Sequence, residues 1–552
     1  MFNALYQLIA LLFFGFGVHQ VQGAENFADK ILHNGKIITV DQQFRISQAI
    51  AIKGQRILQV GKNSEIELLK GPQTEVIDLK KKTVIPGLID NHAHFIRAPE
   101  HDELRFDGIT KRQDAVRMLT QRVKAAKPGE WIVTLGGWSE DQFIDDQRGF
   151  TKAELDLIAP NNPVVIQAIY LRSYLNTAAM RAIPIDATTQ DPPGGRIIKG
   201  SDGLPSGVVQ GPGGVAFVAA QIPLPDKEGW KNNILKLMSQ INAMGITAWY
   251  DAGGRGIDER HYSAFQDLDN QQLLNARAFW TTIRQPRSPQ AVDGVLLEIA
   301  KHKPFQGSDY FENIGWGETV YSPATTNLIR SDFRVREEDM VQVRRIAQAV
   351  ADQGMFLNAH TEMENSTDGF LTQYEAVNQI KPIKGLRWVF SHLDQVTPAQ
   401  LLRMQKLNMF AGLHTRPLIQ GAEMHRIHGD KAWDMPPFRR VQQSGVVWGL
   451  GSDATAVTTS NPFYSLDFAV TGRMVGGRRV NRQTVTREEA LIAHTRSNAT
   501  FIFQENNLGS LQAGKYADLL ILDRDYLTIP ANQIKDIVPL ATMVGGKFVH
   551  KK

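Results

Sequence analysis

The chain has 552 residues, 42% of them hydrophobic and 21% charged, the balance of a globular protein with room for a large catalytic domain and a smaller one. A formal net charge of +4, with no long basic run, gives no footprint for nucleic acid. No cysteine is present, which excludes disulfides, a lipidated cysteine and thiolate metal ligands.

The first 24 residues read as a secretory signal peptide. Residues 4–18 are almost wholly apolar but short for a bilayer span, and Val21-Gln22-Gly23 offers the small residues a signal peptidase selects. Cleavage near Gly23 or Ala24 implies a periplasmic or secreted protein with no stable membrane span. An uncleaved anchor is the competing reading. Residues 30–40 and 49–60 then alternate apolar and polar side chains around turns at Asn34-Gly35 and Lys53-Gly54, the pattern of a small antiparallel sheet. Residues 517–523 and 541–549, with Gly545-Gly546 as a hairpin turn, repeat that pattern at the far end. The two ends, 25–83 and 505–552, are expected to pair into one small β-sandwich domain flanking a central unit at 84–504.

The central unit opens on Val84-Ile85-Pro86-Gly87-Leu88-Ile89-Asp90-Asn91-His92-Ala93-His94, an apolar strand that ends in a His-x-His pair. Residues i and i+2 of a strand share a face, so both imidazoles reach one point, the geometry a metal ion needs. Seven further apolar strands follow, alternating with helical runs: 245–251, 276–283, 313–321, 355–360, 387–392, 407–413 and 446–453. That count predicts an α/β fold, a (β/α)8 TIM-type barrel with its site at the C-terminal strand ends. Between the first two strands lies an insertion, about 96–240, with strand candidates at 131–136 and 163–170 and a Gly/Pro-rich run at 192–214. It is expected to cover the barrel mouth, with the turn-rich run as a lid.

The chemistry-bearing residues fall at strand ends: His92, His94, Glu318, His360, His392 and Asp453. They suit hydrolysis, because a divalent metal lowers the pKa of a water and polarises a carbonyl. A nearby carboxylate then moves the proton from that water to the leaving nitrogen, the role expected of Asp453. Glu318, in Gly315-Trp316-Gly317-Glu318, is expected to bridge two ions. Arg172, Arg416 and Arg473 suggest a carboxylate-bearing small-molecule substrate, and Trp316 an apolar pocket wall.

These motifs make the sequence resemble the amidohydrolase superfamily, and within it the amidohydrolase family 3 branch of YtcJ-like and N-substituted formamide deformylase-like proteins. The resemblance rests on "IPGLIDNHAH" ending at His94, on "VWGLGSDATAVTTSNP" beginning at Val447, and on "LGSLQAGKYADLLILD" beginning at Leu508. It implies His92, His94, His360 and His392 as ligands of one or two divalent ions, zinc foremost, Asp453 as catalytic acid/base, and a homodimer. It also implies a strand-four lysine that can be carboxylated to bridge two ions, but Asn313-Ile314-Gly315-Trp316-Gly317-Glu318-Thr319 contains none. The expected function is therefore metal-dependent cleavage of a non-peptide C–N bond in an amide, formamide or cyclic amide. A deaminase or lactonase of the same superfamily, or a non-catalytic binding protein on a degenerate scaffold, are the alternatives.

Overall fold

The computed structural model describes residues 27–254, 256–325 and 333–552; the expected signal peptide lies outside them. Among the described residues no helix is long and apolar enough to cross a membrane.

Eight parallel strands form the centre: β1 (Leu88–Ala93), β2 (Ile246–Asp251), β3 (Arg277–Thr282), β4 (Phe311–Trp316), β5 (Phe356–Thr361), β6 (Val389–His392), β7 (Phe410–His414) and β8 (Trp448–Gly451). Every neighbouring pair is parallel and sequential, as the alternating strand–helix pattern requires. The sheet closes between β8 and β1 through few but well-placed bonds. Asp453 N donates to His92 O at 2.8 Å and His94 N to Ala454 O at 2.7 Å. Asn498 Nδ2 donates to both Ile89 O and Leu450 O, at 2.6 and 2.8 Å, stitching the two strands from below.

The helices between strands form where apolar residues recur at helical spacing. Pro398–Leu407 is typical: Thr397 and Gln400 make a capping box, Pro398 occupies the first turn, and Asn408 ends the helix in the left-handed conformation. Such a cap is worth about 1 kcal/mol. Leu401, Met404 and Leu407 point inward and join the large apolar layer between barrel and helices.

Both chain ends contribute to one six-stranded sheet, in which Leu519–Leu522 pairs antiparallel with Thr83–Pro86 and with Pro539–Val544. A separate four-stranded sheet holds Ala28–His33, Ala49–Lys53, Arg56–Gly61 and Lys70–Asp78. The strands on either side of the turn at Asn34-Gly35 do not pair with each other within the small antiparallel sheet expected around it. Ala28–His33 stays in the four-stranded sheet and Lys36–Ile38 enters the six-stranded one. Asn34 turns the chain between sheets with a left-handed φ of 56°.

Between β1 and β2, residues 132–210 build a five-stranded sheet of their own. The insertion is pinned to the helix after β7 and the loop after β8: Gly137 N donates to Ala456 O at 2.9 Å, Ser139 Oγ to Ile419 O at 2.9 Å and Arg105 Nη2 to Thr455 O at 2.9 Å. This places the insertion at the C-terminal end of the barrel. Its Gly/Pro-rich run is not an open lid loop, because Arg196–Lys199 and Pro205–Gln210 pair antiparallel and lead into the helix Gly211–Ala219. The glycines serve close backbone approach there: a Cβ on Gly195 or Gly213 would collide with the backbone of Gly214 or Pro193.

Candidate metal centre

The strand ends deliver the histidines to one buried cluster. His92 ends the inward face of β1 and His94 follows one residue beyond the strand, both buried. Their orientation is set from behind. Asp90 Oδ1 accepts from His92 N and Ser452 N, each at 3.0 Å, and Asp90 Oδ2 accepts from Ser452 Oγ at 2.6 Å, locking β1 to β8. His94 Nδ1–H donates to the carbonyl of Gly253, leaving Nε2 turned toward the cluster.

Glu318 lies at the centre. Its Oε1 is 2.5 Å from His360 Nδ1, 3.0 Å from His392 Nε2 and 3.7 Å from His92 Nε2. Two three-residue sets therefore share it: His92, His94 and Glu318, and Glu318, His360 and His392, the ligand atoms of each lying within 4.8 Å of one another. Asp453 stands beside them, with Oδ1 3.1 Å from His94 Nε2 and 3.8 Å from His92 Nε2. Its other oxygen, Oδ2, is 3.2 Å from Arg416 Nη2. Both His392 (φ 78°) and Asp453 (φ 64°) adopt left-handed backbone. For non-glycine residues this costs on the order of 1–3 kcal/mol each, and the surrounding structure must enforce it.

The charge balance asks for a cation. Burial opposes ionisation of Asp453, yet the hydrogen bond with His94 and the Arg416 charge hold its carboxyl well below the usual carboxylate range. Burial likewise opposes charge on Glu318 and Glu362, but His92 and His360 around the first and Arg416 beside the second keep both low. Against the same cost of burial, Asp453 raises His94 to about 10, and Glu318 and Glu362 raise His360 to about 10. In the absence of an ion these two imidazoles supply the positive charge the carboxylates need. Burial drives His92 and His392 well below the ordinary histidine value, the unprotonated form a ligand requires. Both ring nitrogens of His92 are buried without a hydrogen-bond partner among the described residues. Such atoms are costly unless satisfied, and a metal ion would satisfy them. The donor set, nitrogen and oxygen only, fits a divalent ion such as zinc.

Every proposed ligand is thus brought together, and so is Arg416, but not in the role expected of it. Its guanidinium is buried between Asp453 and Glu362, contacting both, so its charge is already matched within the protein. Arg172 lies apart, in a cleft of about 350 Å³ lined by Glu140, Arg148, Gln420 and Glu423, with Glu140 Oε1 3.7 Å away. Arg473 is exposed and bonds Gly477 O. Trp316 does not line the site: it is buried in the same apolar cluster as Val292, Ile299 and Val343, edge-on to His302.

Four acidic or basic groups enter that were not singled out from sequence. Glu362 and Asp394 sit two residues beyond His360 and His392, both buried. Burial pushes Asp394 up to about 7. His414 ends β7, with Nδ1 2.8 Å from His392 Nδ1; burial lowers it to about 3. Asp251 ends β2, accepts from Ile96 N and Gly253 N, and is raised by burial to about 6. The signal for His414 was present: Phe410-Ala411-Gly412-Leu413-His414 repeats the apolar-strand-then-histidine pattern of His360 and His392.

Residues 75–550 match the sequence model of the amidohydrolase family. Protein LONG AFTER FAR-RED 3 of Arabidopsis thaliana is 24% identical over 95% of this chain and 92% of its own length. The N-substituted formamide deformylase of Arthrobacter pascens is 26% identical over 95% of this chain and 98% of its own. Among solved structures, an uncharacterized metal-dependent hydrolase from Pyrococcus horikoshii OT3 has the same fold. Its TM-score is 0.65 at 19% identity, covering 91% of this chain and 99% of that one.

Proposed function

The chain belongs to the amidohydrolase family, and from that premise we propose that it is a metal-dependent hydrolase that opens a non-peptide C–N bond of a small molecule, an amide, formamide or cyclic amide. The observation that carries this reading is the shared carboxylate: two ligand sets meet on Glu318, and an ionised Asp453 stands beside them. Likeness to the formamide deformylase over nearly the whole chain supports the choice of bond.

His92, His94, Glu318, His360 and His392 are the residues that would hold the ion or ions, with zinc the first choice for this donor set. A bound divalent ion supplies a lowered pKa for water and a polarised carbonyl. Asp453 takes the proton from the attacking water and returns it to the departing nitrogen. Arg416 fixes the far oxygen of that carboxylate, so that Oδ1 faces the reaction. His94 is kept in one tautomer by Gly253. The insertion, pinned over the strand ends, limits access of bulk water.

The test combines metal analysis with turnover. Wild type and Glu318→Gln, purified without added metal or chelator, are assayed for ions per chain and for hydrolysis of a panel of N-substituted formamides and cyclic amides, read as amine formed, and of lactones, read as acid released. Two ions in the wild type, one or none in the variant, and zinc-dependent amine release are expected. Turnover of lactones alone would replace the C–N reading, and a metal-free wild type without turnover would overturn the hydrolase itself.

A further inference from the structure

We infer that His414 is a positioning residue that sets the metal-ready tautomer of His392. This rests on the reading of the site as a metal centre and goes beyond it in assigning a role to the fifth histidine of the cluster.

His392 reaches two partners with its two ring nitrogens. Nε2 lies 3.0 Å from Glu318 Oε1, and Nδ1 lies 2.8 Å from His414 Nδ1. The next acidic atom near Nδ1, Asp453 Oδ2, is 3.8 Å away, beyond hydrogen-bond reach. Two imidazole nitrogens at 2.8 Å share one proton, so one ring donates and the other accepts. If His414 donates, the His392 proton sits on Nε2, is spent on Glu318, and no lone pair is left for an ion. If His414 accepts, the proton sits on Nδ1 and Nε2 presents its lone pair beside Glu318. The ring of His414 therefore decides whether His392 can ligate. A ligating histidine ordinarily gives its second N–H to a carboxylate, a carbonyl or water; here that acceptor is another imidazole.

The placement of His414 is well determined. It ends β7, directly between β6 and β8, and is buried. Its ring packs at 4.4 Å and 90° against His392 and at 4.2 Å against His92, so one side chain braces a ligand from each of the two sets that meet on Glu318. Its Nε2 has no partner among the described residues and is free to carry the proton in the accepting tautomer.

The experiment compares zinc affinity of the wild type with that of His414→Leu and His414→Asn, by chelator competition, with the Co2+-substituted visible spectrum as a second readout. Asparagine Oδ1 can stand where Nδ1 stands and accept; leucine fills the space and cannot. Removing such a partner typically costs about 10- to 100-fold in metal affinity, so that loss is expected for leucine, with asparagine within about threefold of wild type. Circular dichroism and Tm check the fold, and His414→Ala takes the place of the leucine variant should it not fold. Equal affinity of the leucine variant and the wild type, or equal losses in leucine and asparagine, would overturn the inference and leave His414 as packing. A wild type that takes up no zinc would overturn the metal reading itself, and this inference with it.

Discussion

Arg416→Met tests whether one guanidinium holds two buried carboxylates. Its Nη1 meets Glu362 and its Nη2 lies 3.2 Å from Asp453 Oδ2, with all three side chains at most 10% exposed. Methionine keeps an unbranched apolar stem and removes both charge-assisted bonds. Losing one partner of a buried ion pair costs about 3–5 kcal/mol, because the charge left behind keeps its desolvation penalty. An unfolding entropy of about 2.1 cal/mol/K per residue, taken over the 552-residue chain, converts this to a fall in Tm of about 3–4 °C. Calorimetry of metal-free protein at pH 7 reads it directly. The companion is the double variant with Glu362→Gln. Once the guanidinium is gone, neutralising Glu362 removes a stranded charge, so the double variant should lose about 0.5–3 kcal/mol less than the sum of the singles. An unchanged Tm in Arg416→Met, or strictly additive losses, would refute the shared-cation arrangement.

Asp453→Asn keeps the shape but not the basicity, and turnover should fall about 10²- to 10⁴-fold with metal content per chain unchanged. Retained turnover would remove Asp453 from proton transfer. In metal-free protein His94 and His360 are raised to about 10. Their contribution to stability is complete below the ordinary histidine value of about 6.5 and is lost as pH rises through about 10. The Tm of metal-free protein should therefore drop between pH 7 and 10, while metal-loaded protein, whose imidazoles are neutral ligands, should not share that drop. For the same reason zinc uptake near pH 8 should release about two protons, seen by titration calorimetry in buffers of different ionisation enthalpy; no release would contradict the charge assignment. Finally, N-terminal sequencing of exported protein should find a mature chain beginning near Ala24 or Glu25, and an intact Met1 in the membrane fraction would favour the anchor.

The barrel and four of its histidines could be read from sequence because they rest on local rules. Strand–helix alternation counts eight strands, the two-residue strand period puts His92 and His94 on one face, and the C-terminal strand end is where barrel side chains converge. Asp453 was legible for the same reason, as an acid with no local partner at the end of an apolar strand. What lay beyond those rules depends on which side chains meet across strands. The two-residue period would put Trp316 on the same face as Glu318, but Gly315 and Gly317 (φ 154° and 136°) break the alternation where the backbone of β5 approaches. The indole therefore turns into the helix layer and the carboxylate into the site. Arg416 reads in sequence as a free cation for substrate; Glu362 and Asp453, 54 and 37 residues away along the chain, reach it only after the barrel closes. The sequence determined which residues stand at strand ends, because that is local geometry. Tertiary structure decided which charges are neutralised and which tautomers are held, because electrostatic pairing in a buried site depends on distances between strands.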